Sequence, residues 1–260
     1  MKYIDVDELQ KLPGRRLAEN ETFTFDCFPG IPCFNRCCRN LNLFLYPYDV
    51  IRLKNRLAIS SDQFIDRYVS VVLRPAGFFP DVLLRMQDDK EGLCPFATPE
   101  GCAVYGDRPD TFRKFPMEQG VRHHSDTGKT ERIYLFRPPD FCQGPREART
   151  WTPAGWACDP DDGVYDQLTL EWAGLKALFQ NDPWDREGPA GPKAKMAFMA
   201  VYNIDRFRDF VFNSSFLKRY KVQTAFVKKM EKEDVELLRF GFDWVKFLLW
   251  GTRSKTFRPR

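Results

Sequence analysis

Four cysteines fall within twelve residues of this chain: Cys27, Cys33, Cys37 and Cys38. Pro29, Gly30 and Pro32 keep their loop out of helix and strand. Chance burial does not cluster thiols in this way. Cys94, Cys102, Cys142 and Cys158 follow further along, making eight in all. The start of the chain is interrupted by Asp5, Asp7 and Glu8, so it offers no secretory leader. No apolar run reaches the roughly 18 residues of a membrane span. The best candidate, 242–250, is broken by Asp243 and Lys246. A cytoplasmic chain is expected, and reducing conditions there disfavour disulfides. The cysteines then call for metal binding, an iron–sulfur cluster, redox chemistry or plain burial.

Their spacing favours metal. The first group reads Cys27-x5-Cys33-x3-Cys37-Cys38, the second Cys94-x7-Cys102, and Cys142 stands later. Soft and borderline metals take thiolates, and folding gathers these from separate loops. A bent loop also offers backbone N–H groups to sulfur. Adjacent Cys37 and Cys38 point apart in helix and in strand. They serve two metals, two corners of a polynuclear cluster, or one ligand and one packing role. The spacing is neither that of a zinc finger nor that of a ferredoxin. Cys158 reads as an ordinary buried cysteine. The adjacent His123 and His124 sit in a polar stretch and read as exposed rather than ligating. Arg39, Arg108 and Arg113 flank cysteines, where guanidinium groups offset thiolate charge.

At these residues the chain resembles the YkgJ-type cysteine-cluster family of zinc- or iron-chelating domain proteins. The family pattern is a Cys-x-x-Cys-x-x-Cys-Cys-like loop, then a Cys…Cys pair leading into Tyr-x-x-Arg-Pro-x-x-Cys-Arg-x-Phe/Tyr-Pro, then a late Cys near Gly. Here the second segment runs from Cys94 through Cys102, Tyr105, Arg108, Pro109, Phe112, Arg113 and Phe115 to Pro116, and the late one is Cys142-Gln143-Gly144. The resemblance covers about residues 23–145, and the C-terminal part is similar to an extended bacterial branch. The first loop is longer than the usual spacing, and Phe112 stands where the family carries Cys. That change implies one metal fewer, a lost site, an open coordination position, or recruitment of His123 or His124. The first loop is also similar to that of flagellin lysine methylases, which pair a related cluster with iron–sulfur chemistry.

The rest of the chain reads as scaffold. The pattern predicts a short strand at Phe23–Phe25 and a helix from Pro47 with Val50, Leu53 and Leu57 inward and Arg52 and Lys54 outward. Ser60 and Gln63 form a capping box. Strands are expected at Val82–Met86 and Glu131–Phe136, and helices near Thr152, over Leu168–Phe179, near 193–220 and near 231–250. Gly188–Pro192 is the clearest linker. Twenty-four phenylalanines exceed what a core strictly needs, so some could serve an interface or a cofactor. Forty basic and 36 acidic residues leave a net charge of +4, too mild to argue for nucleic acid. The four basic residues at the C-terminus read as a solvated, mobile tail. No phosphate loop, dinucleotide fingerprint or hydrolase triad motif is present.

The expected fold is α+β and mostly helical. A cysteine-rich metal-binding module with short strands spans residues 1–150, and a helical extension spans 151–260. The expected function is chelation of zinc or iron, or of an iron–sulfur cluster, through Cys27, Cys33, Cys37, Cys38, Cys94, Cys102 and Cys142. The alternatives are an iron–sulfur enzyme, or a metal-stabilised scaffold that binds a protein partner through its C-terminal helices. Neither a membrane nor a nucleic acid is an expected partner.

Overall fold

The computed structural model describes residues 2–3, 13–75, 77–123, 130–156 and 162–260. In chain order the strands and helices are β1 (Lys2–Tyr3), β2 (Arg15–Leu17), β3 (Phe23–Thr24), α1 (Pro47–Arg56), α2 (Ser61–Tyr68), β4 (Val69–Val72), β5 (Asp81–Leu84), β6 (Ala97–Thr98), β7 (Gly101–Cys102), α3 (Asp110–Arg113), β8 (Met117–His123), β9 (Thr130–Phe136) and β10 (Thr150–Trp151). Then come α4 (Pro153–Trp156), α5 (Asp162–Leu178), α6 (Pro192–Tyr202), α7 (Ile204–Asn213), α8 (Phe216–Arg219), β11 (Tyr220–Val222), α9 (Thr224–Lys232), α10 (Asp234–Trp250) and β12 (Phe257–Pro259). The fold is α+β and mostly helical, with its strands in small sheets.

Two units emerge, and they interleave along the chain. One comprises Met1–Phe44 and Arg85–Ala173, the other Leu45–Leu84 and Gly174–Arg260. Residues 45–84 therefore belong with the C-terminal helices rather than with the cysteine loops.

The first unit is built on a four-stranded sheet in the order β1-β8-β9-β2, with β1 parallel to β8 and the other pairs antiparallel. Leu17, Phe23, Phe25, Met117 and Tyr134 form its core, and Phe115, Phe136, Cys142, Trp151 and Trp156 pack against them. β3 pairs antiparallel with β10, matching Phe23 to Trp151. The Trp151 indole N–H donates to the Phe25 carbonyl at 2.9 Å. These bonds fix the residues just before Cys27 against the segment just after Cys142.

The second unit is helical. Tyr46 N donates to the Asp49 carboxylate at 2.7 Å, and the Ser60–Gln63 capping box forms as the sequence predicts. Val50 and Leu53 are fully buried, but Lys54 is not on the outer face. It is 7% exposed and lies 3.1 Å from Asp205 and 3.5 Å from Asp234. Two carboxylates from later helices supply the countercharge that makes its burial tolerable. Small residues Ala197 and Ala200 line α6, and Gly241 of α10 meets the Ala200 backbone. Phe216, Tyr220, Phe240, Trp244, Phe247 and Phe257 interlock mostly edge to face. The aromatic surplus in this part of the chain is core. The basic C-terminus is also held: Phe257–Pro259 pairs with Tyr220–Val222, and Arg260 N donates to the Arg219 carbonyl at 3.0 Å. Backbone pairing replaces the mobility expected of it.

Candidate metal centre

All seven proposed ligands lie in the first unit, and all seven are free thiols. Cys33, Cys38 and Cys94 are buried, Cys37, Cys102 and Cys142 are half-buried, and Cys27 is exposed. Cys158 and His124 lie outside the described residues, as does the side chain of His123.

Backbone geometry brings three distant segments together. Asp26 N donates to the Gly144 carbonyl at 3.1 Å, beside Cys27 and Cys142. Gln143 N donates to the Cys33 sulfur at 3.2 Å. The Arg36 guanidinium lies 4.8 Å from the Phe141 ring centre. Cys37 and Cys38 sit in a 3-10 turn, Arg36–Cys38. Asn35 opens that turn at φ 61°, a left-handed conformation that Asn tolerates. Its amide donates to the Thr98 carbonyl at 2.8 Å, anchoring the turn to the β6–β7 hairpin. Cys94 N donates to the Cys38 carbonyl at 2.8 Å, and Ala97 pairs with Cys102 across that hairpin.

Gly144 is needed for the closest of these approaches. A Cβ there would stand 2.4 Å from the Phe25 ring and 2.8 Å from the Asp26 carbonyl. The late glycine after Cys142 therefore lets that cysteine's turn lie against the Cys27 segment.

The sulfurs meet a repeated pattern of donors. Cys94 accepts backbone hydrogen bonds from Phe96 and Ala97, Cys102 from Val104, and Cys142 from Gly144. In each case an N–H two residues downstream of the cysteine turns back to its sulfur. Such bonds stabilise thiolate and tune a bound metal. Single-residue reading overlooked these donors and Gln143, because their identities are ordinary and only the bent backbone aims them.

The thiols perturb one another's protonation. Burial pushes the Cys94 thiol up to about 11, against the two N–H donors, with Cys38 and Cys102 adding to the rise. Cys27 is raised to about 11, first by partial loss of water and then by Cys33, Cys142 and Asp26. Cys37 and Cys38 share a hydrogen bond that keeps the proton on Cys37 and lowers Cys38. Arg39 and Arg108 lower Cys38 further. Cys142 is raised by burial and by Cys33, with which it also hydrogen-bonds. Among the described residues, no three His, Cys, Asp or Glu side chains form a group that could hold a metal ion.

The flanking arginines divide. Arg39 pairs with Glu91 and faces Cys38, and Arg108 faces both Cys38 and Cys102. Arg113 is buried, donates to the Gly106 carbonyl at 2.6 Å and lies 4.7 Å from the Tyr165 ring centre. It braces the segment. Phe112 stacks toward Phe115 at 5.8 Å, and Phe115 meets Phe25 at 6.1 Å. The side chain at position 112 has joined the aromatic packing.

The segment that carries these thiols also matches a family model. The profile of the CxxCxxCC family, described as a "putative zinc- or iron-chelating domain", matches residues 26–143. Over that span the chain is similar to the CxxCxxCC domain. The matched span opens just before Cys27 and closes just after Cys142, enclosing all seven thiols. The function class attached to the CxxCxxCC domain is zinc or iron chelation. The chain has no match among curated proteins or among solved structures. No helix among the described residues is long and apolar enough to cross a membrane.

Proposed function

We propose that the CxxCxxCC domain binds zinc or iron through Cys27, Cys33, Cys37, Cys38, Cys94, Cys102 and Cys142 as thiolates, in the reducing cytoplasm. The carrying observation is the family match over residues 26–143, which encloses seven free thiols of one unit, with backbone N–H groups directed at the sulfurs of Cys33, Cys94, Cys102 and Cys142. A disulfide framework would leave these donors without a charged acceptor. A reducing compartment keeps the thiols unbridged. Bound zinc would supply a cross-link and a Lewis acid, and bound iron would add one-electron chemistry. The protein's own part is to hold the loops through Gly144 and Asn35, and to offset thiolate charge with Arg39 and Arg108.

The test is elemental analysis with a visible spectrum on protein purified without oxygen. One or two equivalents of colourless zinc, or of iron, are expected to remain after desalting. Iron with acid-labile sulfide and a brown colour would assign the thiols to an iron–sulfur cluster and move the enzymatic alternative ahead. Protein that holds neither metal under either condition overturns the proposal.

A further inference from the structure

We propose that the β11–β12 ribbon of the second unit binds a nucleic-acid duplex by its phosphates, through Arg219, Lys221, Arg258 and Arg260.

Register sets this face. Tyr220 stands opposite Pro259, Lys221 opposite Arg258, and Val222 opposite Phe257. Arg260 N donates to the Arg219 carbonyl at 3.0 Å, which carries the ladder one pair further. Strand side chains alternate between faces, and directly opposed residues share one. Tyr220, Val222, Phe257 and Pro259 therefore line one face. Phe257 is 4% exposed there, its ring 5.2 Å from that of Phe240 and 5.3 Å from that of Phe247. Arg219, Lys221, Arg258 and Arg260 line the other face, and all four are exposed. Same-face neighbours along a strand stand about 6.7 Å apart, and opposed pairs about 5 Å apart. Asp243 of α10 accepts from the Ser254 and Thr256 hydroxyls, each at 3.2 Å, and so holds the turn that leads into β12. The four cations thus stand on a braced platform.

The fold leaves this face uncompensated. Among the described residues, none of the four side chains has an ion-pair or hydrogen-bond partner. Like charges directly opposite one another destabilise a strand pair. Protecting an open edge from stray pairing asks for single charges, not for a whole face of one sign. The surroundings share that sign. Residues 214–233 and 251–260 hold ten of the forty basic residues and two of the 36 acidic ones, Glu231 and Glu233. Thirty basic and 34 acidic residues remain for the rest of the chain, a division that the net charge of +4 conceals. A positive face concentrated in this way is the electrostatic footprint of a polyanion site.

The rest of the surface selects the polyanion. Seating on a bilayer calls for apolar side chains to insert, and unpaired strands call for exposed rings on which bases stack. Among the described residues, the large apolar side chains that are exposed all precede residue 179. Tyr220 turns its ring inward, 5.0 Å from that of Trp244. A duplex needs neither feature. Its phosphates stand in fixed rows, and cations at fixed spacing meet them without reading bases.

The experiment follows the fluorescence anisotropy of a short labelled DNA duplex titrated with the full chain. Four phosphate contacts imply a slope of log affinity against log salt of about −3.6, a loss of at least about 150-fold between about 50 and 200 mM salt. Lys221→Thr combined with Arg258→Thr should lower that slope by about 1.8 and make the loss about 12-fold smaller. A matched pair away from the ribbon, Arg16→Thr with Lys90→Thr, should leave the slope unchanged. The ribbon variant should melt no lower than wild type, since it removes an opposed pair of like charges. No duplex binding at about 50 mM salt would overturn the proposal. An unchanged slope in the ribbon variant would overturn it as well. Single strands, phosphatidylserine vesicles or polyglutamate that compete better than unlabelled duplex, charge for charge, would each overturn the duplex as the occupant. Should the ribbon variant fail to fold, the wild-type slope and the competitions still decide. The thiols play no part in this site, so its failure leaves the chelating reading untouched.

Discussion

Asp166 holds two cations on one carboxylate. Lys114, buried and also 3.2 Å from Asp110, bonds one oxygen, and Arg132 bonds the other at 2.7 Å. Burial alone would raise the Asp166 pKa, but Lys114 and Arg132 more than reverse this and hold it below the usual carboxylate range. A carboxyl lowered in the folded state contributes stability that is present above its unfolded pKa of about 3.9 and is lost as pH falls through the folded value. Asp166→Asn should therefore cost about 2 kcal/mol at neutral pH, allowing for the solvent-screened Arg132, and flatten the dependence of stability on pH below about 4. Urea melts from pH 7 to pH 3 would show both effects, and an unchanged acid slope would contradict the assignment. At this scale the clustering of the cysteines was legible from spacing alone, and the structure places seven of them in one unit. Lys54 was not legible. Its partners Asp205 and Asp234 lie about 150 residues or more further along the chain, beyond what local periodicity reports.

Between elements, one contact controls how closely two helices approach. A Cβ on Gly241 of α10 would stand 2.3 Å from the carbonyl oxygen of Ala200 in α6. Helix backbone cannot swing aside as a flexible side chain would, so Gly241→Ala should force the pair apart. The expected cost is about 1–3 kcal/mol, typical of overpacking. It should appear as a fall of about 2–4 °C in Tm for each kcal/mol. A thermal melt that matches wild type would show that the helices can separate without loss. The helices themselves were readable. Apolar periodicity placed α1 and α10, and the Ser60 box placed the start of α2. The sheet was only partly readable, since β8 offers no clean alternation and is recognised chiefly through its partner β9.

For the whole chain, the interleaved units carry the sharpest prediction. A chain cut after residue 150 keeps all seven thiols but parts residues 45–84 from 174–260. Val50, Leu53 and Phe64, each at most 1% exposed in the intact chain, would lose part of their cover. Such a fragment should bind a hydrophobic dye and aggregate, while the intact chain should do neither. A monodisperse fragment with intact-like helix content would contradict the division. The sequence reading set a single boundary, between residues 150 and 151. The actual grouping depends on long-range packing, which no composition window registers.

The bond from Gln143 to the Cys33 sulfur also sets a clock. No ribosome-bound chain shorter than 143 residues can contain it. Cys27 precedes Cys142 by 115 positions, which takes about 6–23 s to translate at about 5–20 residues per second. For that interval the early thiols emerge and wait, accessible to oxidants and to stray ions, before the segment that brackets them has been made.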